Sequence, residues 1–238
     1  MTGHAMGPFG LALWDCFRGM EEKELYFVRE DGYVDAVPVD RFFATCVVSS
    51  IERRALDLCR GRVLDVGAGA GRLSLALQAQ GLEVQAIDIA PQAVAIMQER
   101  GVRNATCVDL YACEGSFDTV LVLCHGLGLA QNLTGLRRML EHLSRIVAPE
   151  GQILADSLDV RRTKNPRHLA YQRSLEEAGG YAGEMRFHMR YGNVAGPEFG
   201  WLHVDFQTLS DIATECGWRT ACLLEEETGD YLCQLVRA

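Results

Sequence analysis

The chain has 238 residues, 48% hydrophobic and 23% charged, with a mean hydropathy of +0.00. This composition excludes a disordered or fibrous chain and suffices for one large domain with a buried core and a cap. A net charge of -9 disfavours a phosphate backbone as partner, so nucleic acid is not expected. No apolar stretch reaches membrane-spanning length and the N-terminus lacks a signal pattern, so the expectation is a cytoplasmic protein with no membrane partner. Nine cysteines without a C-x-x-C spacing predict reduced thiols and no metal site.

Residues 1–48 read as an N-terminal extension or cap. Leu11, Trp14 and Phe17 share one side of a short helix, and residues 25–28 and 33–37 flank Asp31-Gly32, a hairpin signal. Residues 49–157 carry the main pattern. Ser49 and Glu52 form a capping box ahead of Ile51, Ala55, Leu58 and Cys59, and Gly61 stops that helix. Strand then alternates with helix: strands at 62–66, 82–87, 105–108, 119–123 and 152–155, helices at 71–80 and 91–99. A further helix carries the stripe Leu133, Leu136, Met139, Leu140, Leu143, Ile146 and Val147, ended by Pro149. Such alternation predicts a doubly wound parallel sheet.

After Ser157 the pattern breaks. Residues 158–182 read as polar and irregular, with the basic run Arg161, Arg162, Lys164, Arg167 and Arg173. That run suits either a solvated loop or attraction for a carboxylate or phosphate. Met185, Phe187, Met189 and Tyr191 alternate with Glu184, Arg186, His188 and Arg190, a half-buried strand that residues 201–204 return beside. Residues 158–204 are thus expected to form a small lid that binds the acceptor molecule. In 205–238 a helix at 206–216 and an antiparallel pair of strands at 221–226 and 231–236 complete the sheet.

The strongest local signal is Val63-Leu64-Asp65-Val66-Gly67-Ala68-Gly69-Ala70-Gly71-Arg72, a strand running through three alternating glycines into a helix. Glycine serves where the chain turns sharply and where backbone must touch a ligand, and the helix start offers free N–H groups and a positive dipole end. A dinucleotide fingerprint wants glycine where Arg72 stands. Asp88, ending the second strand, can accept hydrogen bonds from both hydroxyls of a ribose. A nucleoside is therefore expected, with less provision for a pyrophosphate.

With Ala86-Ile87-Asp88-Ile89-Ala90-Pro91, Val108-Asp109-Leu110, Phe117-Asp118-Thr119-Val120-Leu121 and Pro149-Glu150-Gly151 following in order, the sequence resembles the class I S-adenosylmethionine-dependent methyltransferases. The resemblance implies a Rossmann-like α/β fold, with about seven mostly parallel strands and a final antiparallel pair. It implies S-adenosyl-L-methionine as cofactor and S-adenosyl-L-homocysteine as product. By the same resemblance Gly67, Ala68, Gly69 and Gly71 line the methionine part of the cofactor. Asp65 supports that loop and helps hold the ammonium, and Asp88 takes the ribose. Ile89 packs on the adenine, Asp109 accepts from its amino group beside Leu110, and Leu123 and Cys124 border the sulfonium.

His125 follows the fourth strand at the carboxyl edge, where ligands bind in such sheets. It is the candidate for acceptor contact or proton removal, or else a cap for the following helix. Tyr171, Arg186, His188, Trp201 and His203 are further candidates for holding the acceptor, and their polar-aromatic character suits a flat ring. The expected activity is methyl transfer to oxygen, nitrogen or sulfur of a small metabolite or natural product, by a monomer or homodimer. An NAD(P)-dependent oxidoreductase and a non-catalytic cofactor-binding module are the alternatives, and protein or RNA methylation stays open within the first class.

Overall fold

The alternating pattern builds two sheets, seen in a computed structural model that describes residues 6–20, 24–44 and 49–238. The N-terminal segment gives helix α1 (Gly7–Phe17) and the hairpin β1 (Leu25–Arg29) and β2 (Val34–Val37). Helix α2 (Ser50–Leu58) starts at a complete capping box: Ser49 Oγ accepts from the Glu52 amide, and the Glu52 carboxylate accepts from the Ser49 amide. Then come β3 (Arg62–Val66), α3 (Arg72–Ala79), β4 (Glu83–Asp88), α4 (Pro91–Glu99), β5 (Asn104–Cys107), β6 (Phe117–Val122), α5 (Leu133–Ile146) and β7 (Val147–Leu158). After α6 (Pro166–Glu177), β8 (Glu184–Tyr191), β9 (Val194–Ala195) and β10 (Phe199–Leu202), the chain ends in α7 (Phe206–Glu215), β11 (Trp218–Glu225) and β12 (Asp230–Arg237).

The large sheet runs β11-β12-β7-β6-β3-β4-β5. Strands β3 to β7 are parallel, and β12 is antiparallel to both its neighbours. Both faces are covered. Leu64, Val120, Val122 and Ile153 face the stripe Leu136, Met139, Leu140 and Leu143 of α5, with Leu209 of α7. Their alternates Val63, Leu121, Leu123 and Leu154 face Ile51 and Ala55 of α2 and Leu77 of α3. Burial on both faces is what makes the parallel strands read as unbroken apolar runs.

The second sheet has the order β10-β8-β1-β2, with β9 paired to β8. The N-terminal hairpin and the strands of 158–204 therefore share one antiparallel sheet, with Leu25 of β1 opposite Tyr191 of β8. Its inner face, carrying Met189, Tyr191 and Phe199, packs on Phe9, Ala12 and Leu13 of α1. These in turn meet Ala70 of the glycine turn and Ala90, Ala93 and Ile96 at α4.

Three expectations are corrected. Residues 166–177 are helical, not irregular. Asn165 caps the helix by accepting from the Arg167 amide at 3.0 Å, Pro166 occupies the first turn, and Gln172 Nε2 ties it to the Val160 carbonyl at 2.7 Å. So few buried side chains leave no periodic stripe to read. Strand β10 begins at Phe199, since Phe199 and Trp201 pair with Phe187 and Met185. Leu11 points outward at 36% exposure, because Phe9, Ala12 and Leu13 form the buried face of α1. Among the described residues the seven cysteines at 59, 107, 113, 124, 216, 222 and 233 are free thiols, and Cys46 lies outside the described residues. Among the described residues no helix is long and apolar enough to cross a membrane.

Candidate cofactor and acceptor site

The glycine turn links the carboxyl end of β3 to α3. Gly67, Gly69 and Gly71 all take positive φ, at 69°, 56° and 77°, a region that side chains with a Cβ rarely adopt. A Cβ on Gly71 would also sit 2.8 Å from Met97 and from Val102. The turn is braced from the next strand: the Gly67 and Ala68 amides both donate to the Ile87 carbonyl, at 2.9 and 3.0 Å, and the Gly69 amide donates to Asp88 Oδ2 at 2.9 Å. With those amides taken up internally, the turn has few donors left for a pyrophosphate. The missing third glycine of the dinucleotide fingerprint and this hydrogen bonding point the same way.

Asp88 also accepts from the Ala90 amide at 2.8 Å through its other oxygen. Each oxygen keeps a lone-pair direction for a ligand hydroxyl. Burial nonetheless raises the Asp88 pKa, against the pull of those amides. Asp65 lies beneath the turn at 3% exposure and accepts from Ser74 Oγ at 2.5 Å. Burial pushes it up to about 6. Asp109 caps a short helical turn by accepting from the Tyr111 amide at 2.8 Å, and Leu110 behind it is buried. Cys107 Sγ reaches the Ile89 carbonyl, placing Ile89 and Asp109 at neighbouring strand ends.

Beyond β6 the chain makes a turn that no glycine supplies. Leu123 is buried, and Cys124 and His125 take φ values of 61° and 57°. Left-handed backbone at non-glycine residues costs about 1–3 kcal/mol each and collects at functional sites. The turn is held from two sides. Cys124 Sγ lies 3.4 Å from both Glu52 Oε1 and Arg72 Nη2, and Arg72 and Glu52 form a largely buried ion pair. The Cys124 side chain is solvent-exposed yet crowded by protein, and that crowding pushes its thiol up to about 12. On the other side the His125 amide donates to Asp156 Oδ1 at 2.7 Å. His125 Nε2 lies 2.8 Å from Asp230 Oδ1.

Burial pulls the His125 pKa down, but the Asp230 hydrogen bond and the Asp156 and Asp230 charges outweigh it, and the net direction is up. Asp156, itself buried on β7, is raised to about 6. His203 meets His125 edge-on, ring centroids 5.3 Å apart. Burial depresses His203 to about 3, and its buried Nδ1 has no hydrogen-bond partner among the described residues. Trp201 packs against the same turn: a Cβ on Gly128 would fall 2.0 Å from the indole. Trp201 and His203 are thus brought to the His125 turn.

The other acceptor candidates are not. Tyr171 donates to Glu30 Oε1 at 2.8 Å and stacks 4.1 Å from the Arg29 guanidinium, bracing α6 on β1. Arg186 is exposed and pairs with Glu30 and Glu198. His188 shares Arg186's face of β8, opposite the buried Met185 and Met189. The structure does not bring these two to the His125 turn, because period-2 alternation turns the apolar set, not the charged one, toward the core. Glu52, Arg72, Asp156 and Asp230 were not anticipated at the site. Arg72 interrupts the glycine spacing and Asp156 directly follows the strand expected at 152–155, and those were the only hints the sequence held for them.

A family model described as a methyltransferase domain matches residues 63–151. A crystal structure of a SAM-dependent methyltransferase from Bacteroides fragilis, in complex with S-adenosyl-L-homocysteine, is 34% identical, covers 98% of this chain and 96% of that one, and superposes with a TM-score of 0.87. The chain belongs to the S-adenosylmethionine-dependent methyltransferases. The CcbJ methyltransferase of Streptomyces caelestis shares the fold, at TM-score 0.60 and 12% identity, over 84% of this chain and 90% of that one. The ubiquinone biosynthesis O-methyltransferase of Xanthomonas oryzae is 31% identical over 44% of this chain. That match spans 46% of the relative's length, under half of it.

Proposed function

We propose that this methyltransferase moves a methyl group from S-adenosylmethionine to oxygen, nitrogen or sulfur of a small metabolite or natural product, releasing S-adenosylhomocysteine. It acts as a cytoplasmic monomer or homodimer. The observation that carries this reading is the placement of the braced glycine turn at the end of β3, between Asp88 at the end of β4 and the strained Cys124-His125 turn after β6. That arrangement puts a nucleoside-binding edge beside a polar acceptor edge.

The residues fit the cofactor. A cradle of positive-φ glycines, Asp88 for the ribose hydroxyls, Ile89, Asp109 and Leu110 for the adenine, and the carboxylate-rich floor of Asp65 and Glu52 suit a cationic, hydroxyl-bearing ligand. When bound, the cofactor supplies a methyl carbon whose bond to a sulfonium sulfur breaks as the acceptor's lone pair attacks from the opposite side. The chain aligns the acceptor, excludes water and removes a proton where the acceptor carries one. His125 is the group for that proton. The acidic net charge supports a small molecule over RNA as acceptor.

Isothermal titration of the purified chain with S-adenosylhomocysteine tests the reading, and no heat at millimolar ligand overturns it. Tighter binding of NADH than of S-adenosylhomocysteine would favour an oxidoreductase instead. Asp88→Ala weakens S-adenosylhomocysteine about 10-fold or more, since a charged hydrogen bond is worth about 1.5–3 kcal/mol.

A further inference from the structure

His125 is not the end of the polar chain at the acceptor edge. Asp230 stands at the first position of β12, where the last hairpin turns back over the sheet, 105 residues along the chain from His125. Both of its oxygens are engaged: Oδ1 with His125 Nε2 at 2.8 Å, and Oδ2 by the Thr228 hydroxyl at 2.6 Å. The hairpin tip is fixed in turn. The Asp159 amide donates to the Gly229 carbonyl at 2.9 Å, and a Cβ on Gly229 would strike the Asp159 carbonyl and the Arg162 side chain, both at 2.8 Å. Asp230 therefore reaches His125 from a tethered support.

An ionised carboxylate accepts and cannot donate, so the imidazole nitrogen facing it carries the hydrogen. In the neutral ring this leaves the lone pair on Nδ1, and among the described residues Nδ1 has no hydrogen-bond partner. We infer that Asp230 is a positioning residue that fixes His125 with its hydrogen on Nε2 and its basic nitrogen, Nδ1, free for a proton-bearing acceptor, a hydroxyl or a protonated amine. This rests on the methyltransferase reading above and narrows it. A carboxylate acceptor or a preformed thiolate would have no use for such a device. In the step implied, the acceptor's proton passes to Nδ1, and the imidazolium formed keeps its Nε2 hydrogen on Asp230. The lone pair freed on the acceptor forms the bond to the methyl carbon, and the electron pair of the broken carbon–sulfur bond stays on sulfur.

The groups facing His125 come from four places. Asp230 on β12 and Asp156 on β7 favour the imidazolium, and Arg41, in the helical turn Val39–Phe42, opposes it. His203, just ahead of α7, is neutral and so adds no competing charge.

The test uses the full chain, ¹⁵N-labelled at histidine and saturated with S-adenosylhomocysteine. His125 is assigned among the six histidines by the signal that disappears in His125→Gln. In the unmodified protein, at a pH above the His125 titration, the neutral ring is expected as the Nε2–H tautomer. In Asp230→Asn its proton affinity falls about tenfold or more, because the carboxylate charge is gone, and in Asp230→Ala the tautomer preference is lost. S-adenosylhomocysteine affinity stays within about twofold in both variants, since Asp230 lies outside the cofactor-lining set. A His125 found as Nδ1–H in the unmodified protein overturns the inference even if neither variant folds. So does a titration that ignores both substitutions, or a loss of cofactor affinity equal to the change at His125, which would make Asp230 merely structural. If S-adenosylhomocysteine fails to bind the unmodified protein, the failure belongs to the methyltransferase reading itself.

Discussion

Asp65 and Asp156 both hold their protons to about pH 6, Asp65 beneath the glycine turn and Asp156 beneath His125. In the unfolded chain each would ionise near pH 4. The folded protein therefore binds more protons than the unfolded one between these values. The stability these two groups confer is complete below about pH 4 and is lost as pH rises through about 6. Asp156→Asn keeps an oxygen for the His125 amide but removes the titration. The variant's urea midpoint should gain on the parent's between pH 4.5 and pH 7.5. A parent–variant difference that is the same at both pH values would show that Asp156 is not held protonated. Neither burial nor these partners can be read from the residue's position in the sequence. Asp65 announces itself by standing before three glycines; Asp156 does not.

At the scale of the element, α2 shows how a local rule acquires a distant duty. Its capping box was legible because Ser49 and Glu52 are three residues apart and bond to each other's backbone. Their spacing says nothing about Arg72, the first residue of α3, whose guanidinium lands on the same Glu52 carboxylate. Burial raises the Glu52 pKa, but Arg72 and the Ser49 amide outweigh it and hold the carboxyl below its usual range. Removing one partner of a buried pair leaves the other charge uncompensated, at about 3–5 kcal/mol, whereas replacing both is often near neutral. Arg72→Met should therefore lower the unfolding free energy by about 3 kcal/mol. Arg72→Met combined with Glu52→Leu should recover all but the cap's own contribution, about 1 kcal/mol. Denaturant unfolding of the two variants checks this, and additive losses would mean the pair is not coupled.

At the scale of the whole molecule, the small sheet and the large one meet where Trp201 lies on the backbone of Gly128. This contact joins β10 to the turn that carries His125. Gly128→Ala would place a methyl group inside the indole. It is expected to destabilise the protein by about 1–3 kcal/mol through overpacking. It should also speed amide exchange in β8 and β10 ahead of β3 and β6. Uniform loss of protection across both sheets would show that the two do not open separately.

The sequence by itself determined the strand–helix alternation of the large sheet, the glycine turn with Asp65 and Asp88, the hairpin at Asp31-Gly32 and the final antiparallel pair. Each of these rests on neighbours in the chain: the periodicity of burial, the conformational freedom of glycine, and caps formed within one turn. The tertiary structure alone decided the rest. It joined the N-terminal hairpin to β8, turned Arg186 and His188 outward, made a helix of residues 166–177 on a few non-periodic contacts, and brought Asp230 to His125 across 105 residues. Those pairings are chosen by how whole faces pack and by which buried polar groups must find partners. A local pattern carries no record of either.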